Sequence, residues 1–125
     1  MNCLFCEIAN NNIPSYTIYE DEIVKAFLDI HPDCNGHTLI IPKKHFLDIT
    51  DIDNDTLMHI IEVTRKVKKI LEDALQIDGL ALIQNNGIAQ EIKHYHLHLK
   101  PHYKGKPNLM KVEDVHKLIT KKSNN

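Results

Sequence analysis

Arginine is almost missing from this chain. Arg65 is the single one, and Lys supplies the rest of the 15 basic residues among 125 positions. Bidentate guanidinium clamps for phosphate are therefore nearly unavailable, and any bound anion must be held by backbone N–H, Lys or His. Serine is equally scarce: Ser15 and Ser123 stand alone, and neither has the setting of a nucleophile elbow. Cysteine stops at an odd three, Cys3, Cys6 and Cys34, which argues against a disulfide framework and for the reducing cytoplasm. No window approaches the roughly 20 apolar residues of a membrane span. Met1 to Asn10 has no Lys or Arg and no long apolar run, unlike a secretory signal. The charge is small, 15 Lys+Arg against 17 Asp+Glu for a net −2, which excludes a strongly basic nucleic-acid binder. Apolar residues reach 42%, enough for one real core, and the length predicts a single domain over 1–125.

The order of elements reads as α+β. Leu4 to Ala9 predicts one or two helical turns, broken at Ile13-Pro14. Tyr16 to Glu20 and Ile23 to Ile30 read as strands across an Asp21-Glu22 turn. His31 to Gly36 is turn chemistry, and His37 to Ile41 is a strand stopped by Pro42. Asp53 reads as the N-cap of a long helix, with Leu57, Ile60, Ile61, Thr64, Val67, Leu71, Ala74 and Leu75 on one face. Asp78-Gly79 reads as its end. Leu80 to Gln84 is a strand, Asn85-Asn86-Gly87 a turn, and Ile92 to Tyr103 a long strand whose Pro101 suits an edge or a bulge. Val112 to Thr120 predicts a short terminal helix with acids early and Lys late, and about 121–125 a frayed tail.

Histidine is the anomaly. There are nine, and His94-Tyr95-His96-Leu97-His98 alternates with period two. On a strand the three imidazoles share one face, about 7 Å apart at i and i+2, and Tyr95, Leu97 and Leu99 share the other. A solvated polar face is the plain reading of such a pattern. A three-His metal site is the second. Phosphate chemistry is the third: neutral imidazole is nucleophilic, and a neighbouring His can donate to phosphoryl oxygens. The turn-rich Asn85-Asn86-Gly87-Ile88-Ala89-Gln90 feeds this strand and can aim backbone N–H groups at an anion. Cys3-x-x-Cys6 is half of a zinc site; a redox pair competes, but no βαβ setting accompanies it.

These blocks, in this order, resemble the histidine triad (HIT) family. The resemblance runs from Cys3-Leu4-Phe5-Cys6-Glu7-Ile8 and Ile13-Pro14, through Tyr19-Glu20-Asp21 and Ala26-Phe27-Leu28-Asp29-Ile30. It continues in Gly36-His37-Thr38-Leu39-Ile40-Ile41-Pro42-Lys43-Lys44-His45 and ends in Asn85, Gly87, Gln90 and the triad. The branch it is most similar to is the nucleoside phosphoramidases.

The resemblance implies a five-stranded antiparallel sheet, a long helix, a homodimer and a purine nucleotide as ligand. It implies His96 as nucleophile on the α-phosphorus and His98 as donor to the phosphate. Asp29 matches the acceptor for ribose hydroxyls. Phe5, Ile8, Ile13, Phe27 and Ile30 match the walls of a base pocket, and Asn85, Ala89, Gln90 and Glu91 the loop around the phosphate. Without the resemblance, Phe27 and Ile30 are ordinary core residues and Asp29 begins a turn. Family members that bind zinc do so through two Cys and two His, and Cys3, Cys6, His45 and His94 fill all four positions. Such a closed site is structural, with no open position for substrate.

Three departures bear on substrate choice. The Gly87–Gln90 loop is shorter than is usual for the family, Glu91 stands where some relatives have Ser, and there is no Trp. The expected activity is cleavage of purine nucleoside 5′-phosphoramidates to the monophosphate through a nucleotidyl-His96 intermediate. Its rivals are a dinucleoside polyphosphate hydrolase and a zinc-stabilised nucleotide-binding module without catalysis.

Overall fold

The structure, a computed structural model, describes residues 3–123. The end of the expected tail, Asn124 and Asn125, lies outside them. Nine elements follow in chain order. Helix α1 is Leu4–Ala9, strands β1, β2 and β3 are Thr17–Glu20, Val24–Leu28 and Thr38–Pro42, and α2 is Asn54–Leu75. Strand β4 is Gly79–Gln84, a 3-10 turn covers Gly87–Ala89, β5 is Leu97–His102 and α3 is Val112–Ser123. The strands form one antiparallel sheet in the order β1-β2-β3-β5-β4. No helix among the described residues is long and apolar enough to cross a membrane.

Register sorts the side chains onto two faces. Phe27 pairs with Leu39, Leu39 with His98, and His98 with Ile83, so these four form one row across four strands. The alternate row of Ala26, Ile40 and Leu97 points the other way. That second face carries the larger core, where Val24, Ala26, Leu28, Ile40, Leu97 and Leu99 meet α2 through Ile60, Val63, Val67 and Leu71, and α3 through Val115 and Ile119. The first face carries a smaller cluster of Phe27, Leu39 and Ile41, closed by Cys3, Phe5, Ile8 and Ala9 of the α1 segment. Burial of each large apolar side chain is worth roughly 1.5–3 kcal/mol, so the α2 face dominates stability.

Helix α2 starts as its sequence predicts. Asp53 is extended, and its carboxylate accepts the Thr56 N–H at 3.0 Å. Its end differs. Gln76, not Gly79, takes the left-handed conformation (φ 55°), and its N–H bonds Glu72 O at 3.0 Å. This early stop turns Ile77 onto the core and lets Asp78 N–H reach His102 O at 2.8 Å, which starts β4. Val63, absent from the predicted face, is fully buried, whereas Ile61 is 38% exposed.

The long strand expected over Ile92 to Tyr103 is shorter, because the chain bends through 91–94 and pairs only from Leu97. Pro101 lies in an interior strand rather than at an edge. It is tolerated because β3 begins at Thr38, opposite Leu99, so no β3 partner needs its missing N–H. Helix α3 runs past Thr120 to Ser123. Gly36 makes the tightest turn: its φ is +88°, and a Cβ there would sit 2.7 Å from Leu75 Cδ1.

Candidate active site

The three triad histidines keep their common face although only His98 belongs to a strand. Tyr95, Leu97 and Leu99 face the α2 core, so His94, His96 and His98 face α1. A backbone bond from Tyr95 N–H to Phe46 O, 2.7 Å, holds the unpaired approach in place.

Each ring has a fixed tautomer, assigned from its hydrogen bonds. His94 is fully buried and its Nε2 donates to Pro42 O at 2.8 Å, which leaves the Nδ1 lone pair free. That lone pair lies 3.4 Å from Cys3 Sγ and 3.5 Å from Cys6 Sγ, and His45 Nδ1 lies 3.2 Å from Cys6 Sγ. The four ligand atoms of Cys3, Cys6, His45 and His94 all fall within 4.8 Å of one another. Burial lowers the His94 pKa to about 4, while burial and then Cys3 raise that of Cys6 to about 11. A neutral imidazole aimed at two thiols, with the far nitrogen fixed on a carbonyl, is the donor chemistry of a divalent sulfur-and-nitrogen metal site.

His96 is 5% exposed. Its Nδ1 donates to His94 O at 2.8 Å, so Nε2 carries the lone pair. Burial lowers its pKa; the His94 carbonyl, Asp29 and Glu91 oppose that shift. The ring stands 5.0 Å from Phe5 and 4.9 Å from His98, edge to face in both cases.

His98 receives its tautomer from a residue that the sequence reading did not single out for the site. His37 Nδ1 accepts the Asp33 N–H at 3.1 Å, so its proton sits on Nε2 and points at His98 Nδ1, 3.0 Å away. His98 Nδ1 is then an acceptor, and its own proton sits on Nε2. Burial, then His96, brings the His98 pKa to about 4, and burial lowers that of His37. Asp29 Oδ2 is 3.7 Å from His37 Nε2. Asp29, His37 and His98 also lie close enough to share an ion, but a metal on His37 Nε2 would need the proton moved to Nδ1, against the Asp33 N–H. His37 and His98 form a hydrogen-bonded pair, and Asp29 stands beside it at 3.7 Å, beyond hydrogen-bond reach. The signal for His37 is its parity: it shares a strand face with Leu39 and Ile41.

The remaining predicted residues divide. Phe5, Ile8 and Phe27 pack in one cluster, with Phe5 and Phe27 rings 5.7 Å apart. Ile13 and Ile30 are 36% and 63% exposed and stand outside it. Asp29 serves both readings, since Oδ1 accepts the His31 N–H at 2.9 Å as a turn residue while Oδ2 faces His37. Asn85 is half-buried, and Ala89 and Glu91 are exposed. Gln90 is buried, and its Nε2 donates to Leu47 O at 2.6 Å, anchoring the loop. Lys93, also not singled out beforehand, donates to Gly87 O and Gln90 O, both at 2.8 Å. This cation is spent on loop carbonyls and sets the loop's shape.

The HIT domain profile matches residues 10–105 of this sequence. The chain belongs to the HIT family. An uncharacterized HIT-like protein of Methanocaldococcus jannaschii is 41% identical over 115 residues, covering 90% of this chain and 88% of that one. The adenosine 5′-monophosphoramidase HNT1 of Saccharomyces cerevisiae is 41% identical over 101 residues; the match covers 79% of this chain and 61% of the yeast protein. The crystal structure of a Zn-bound histidine triad family protein from Mycobacterium smegmatis superposes with a TM-score of 0.86 at 32% identity, covering 99% and 95% of the two chains. The HIT sheet thus brings together the two centres, Cys/His and His/His, on the face that α1 covers.

Proposed function

We propose that this HIT protein hydrolyses purine nucleoside 5′-phosphoramidates to the nucleoside monophosphate and the free amine. The observation that carries this reading is the fixed proton pattern: a neutral His96 with its Nε2 lone pair unengaged, beside a His98 whose Nε2 bears a proton. His96 Nε2 attacks the α-phosphorus, the P–N bond breaks, and the departing nitrogen takes a proton from solvent water to leave as the free amine, a proton returned when water later attacks the phosphorus. Water then attacks the nucleotidyl-His96 phosphorus, releasing the monophosphate and restoring the imidazole. Two easier displacements replace one difficult one. His98 donates to the phosphoryl oxygens, supplying electrostatic stabilisation in a site without Arg. Asp29 holds the ribose hydroxyls, and Phe5, Ile8 and Phe27 wall the base, with Ile13 and Ile30 at its rim. Asn85, Ala89, Gln90 and Glu91 border the phosphate. The yeast relative's activity supports this assignment. Among the described residues Glu91 forms no ion pair, and its carboxylate works against the long anionic leaving group of a dinucleoside polyphosphate.

The test is release of AMP from adenosine 5′-phosphoramidate, with His96→Asn alongside. Turnover that disappears in the variant is expected. An unchanged variant removes the nucleophile assignment, and a folded wild type that binds AMP without turnover is a binding module.

Cys3, Cys6, His45 and His94 are the residues that would hold zinc, and the ion would supply a closed structural crosslink between the N-terminus and the triad. The Zn-bound mycobacterial relative supports this. One zinc per chain by elemental analysis, and a Tm that falls on chelation, are expected; metal-free protein with a chelator-insensitive Tm would refute it. A homodimer fits the sheet edge at β4, where Leu82 is 51% exposed and Ile83 is 37% exposed. Three free thiols suit a reducing cytoplasm.

A further inference from the structure

Lys25 is 2% exposed, the second residue of β2, and faces α1 as the register partner of Ile41. Its Nζ donates to Ile8 O at 2.9 Å and to Asn11 Oδ1 at 2.6 Å. Among the described residues no carboxylate lies within ion-pair distance of it. Burying a cation on neutral acceptors is a costly way to fill a strand position. The acceptors explain the choice. Ile8 O is a carbonyl of the last turn of α1, and it also takes the Asn11 N–H at 3.1 Å. Asn11 stands in the left-handed region, φ +62°, which turns the chain out of the helix and points its amide oxygen back at β2.

Helix α1 has six residues, too few to persist on helix propensity alone. Yet it carries Phe5, packed on His96, and Cys3 and Cys6, packed on His94. We infer that Lys25 and Asn11 form a clamp that positions α1, and so fix Phe5 over the nucleotide base and against the triad. Lys25 is a positioning residue: it lies on the α1 face of the sheet, but its hydrogen bonds go to Ile8 O and Asn11 Oδ1 and not to the triad. The inference rests on the nucleotide-site reading above.

The decisive variant is Asn11→Gly, which accepts the positive φ without strain and removes the side chain together with its acceptor oxygen. Lys25→Met is the second, and Asn11→Asp, which keeps an oxygen at the same place, is the rescue. AMP affinity is measured by calorimetry, amide exchange over residues 4–13 by mass spectrometry, and turnover with adenosine 5′-phosphoramidate. Asn11→Gly is expected to weaken AMP binding and raise KM about fivefold while kcat stays within about twofold, the pattern of lost ground-state binding. Exchange rises in α1 and not in α2, and Asn11→Asp matches the wild type. If Asn11→Gly lowers Tm but leaves AMP affinity and α1 exchange at wild-type values, the clamp is merely structural and the inference falls. A wild type that binds AMP but turns nothing over ends the hydrolase reading alone, because affinity and exchange still decide the clamp. A wild type that does not bind AMP overturns both.

Discussion

Removing His37 tests whether the proton pattern of the site is imposed by the chain or merely adopted by it. His37 Nε2 is 3.0 Å from His98 Nδ1, and its Nδ1 takes the Asp33 N–H at 3.1 Å. The side chain is 3% exposed, so water does not replace it easily. In His37→Phe, a near-isostere, His98 Nδ1 loses its donor, and the tautomer with the proton on Nδ1 becomes accessible. Leaving a buried acceptor without its donor costs about 1–3 kcal/mol, which corresponds to a loss of about 5- to 150-fold in kcat/KM if it is all felt in the positioning of His98. His37→Gln keeps an N–H donor near the original Nε2 and is expected to recover most of that loss. The assay is AMP release, read together with nitrogen NMR of the His98 ring. Wild-type His98 should show the Nε2–H form, and His37→Phe a mixture. Wild-type kcat/KM in His37→Phe, or an Nδ1–H ring in the unmodified protein, would refute the reasoning.

Two further outcomes concern stability. Gly36→Ala meets both a left-handed φ of +88° and Leu75 Cδ1 at 2.7 Å, so about 2–4 kcal/mol should be lost in urea unfolding; a loss under about 0.5 kcal/mol would show that the 31–36 turn relaxes freely. Acid should also destabilise the protein through Asp21. Burial alone would raise this carboxyl, but N–H donors at Val24 and Ile23, with His59 and Tyr19, outweigh it and hold the pKa at about 2, below its usual 3.8. The unfolded chain therefore binds the proton first. The contribution, about 2 kcal/mol, is complete above pH 4 and disappears as pH falls through 2. Asp21→Asn should flatten that part of the stability curve; an unchanged acid limb would sink the assignment.

Much of this was written into the sequence wherever a local rule governs. The Asp53 cap, the α2 stripe and the period-two alternation around the triad depend on near neighbours, and all three appear in the fold, the stripe with Val63 in place of Ile61. What local rules could not supply was register. Nothing in the sequence says that Leu39 lies beside His98, so His37 reads as the start of a strand and a member of the Gly36–His45 block, and its setting of the His98 proton stays hidden. Helix ends failed for a similar reason. Gly79 has the right residue type to end α2, but Ile77 and Asp78 are needed by the core and by β4, and that tertiary demand puts the stop at Gln76. The resemblance assigns Ile30 to the base pocket but gives no exposure; its 63% exposure follows from the Asp29 turn, which carries the chain off the sheet. The loop over 87–90 was legible as Gly-containing, but not as a segment strapped by Lys93 and Gln90, because those bonds run to backbone carbonyls that any sequence would offer.

The two faces of the sheet divide the molecule's labour, and this bears on how such a protein changes over time. The face under α2 and α3 holds the large apolar cluster and with it most of the folding free energy. The opposite face holds every histidine of the triad and is closed by a single six-residue helix. Substitutions on that face outside its small apolar cluster and the Cys/His group therefore draw less on the stability reserve, which is what keeps a new side chain tolerable long enough to be tried. A fold arranged in this way can exchange one leaving group for another by altering α1 and the 85–91 loop, while the same α2 core stays in service beneath them.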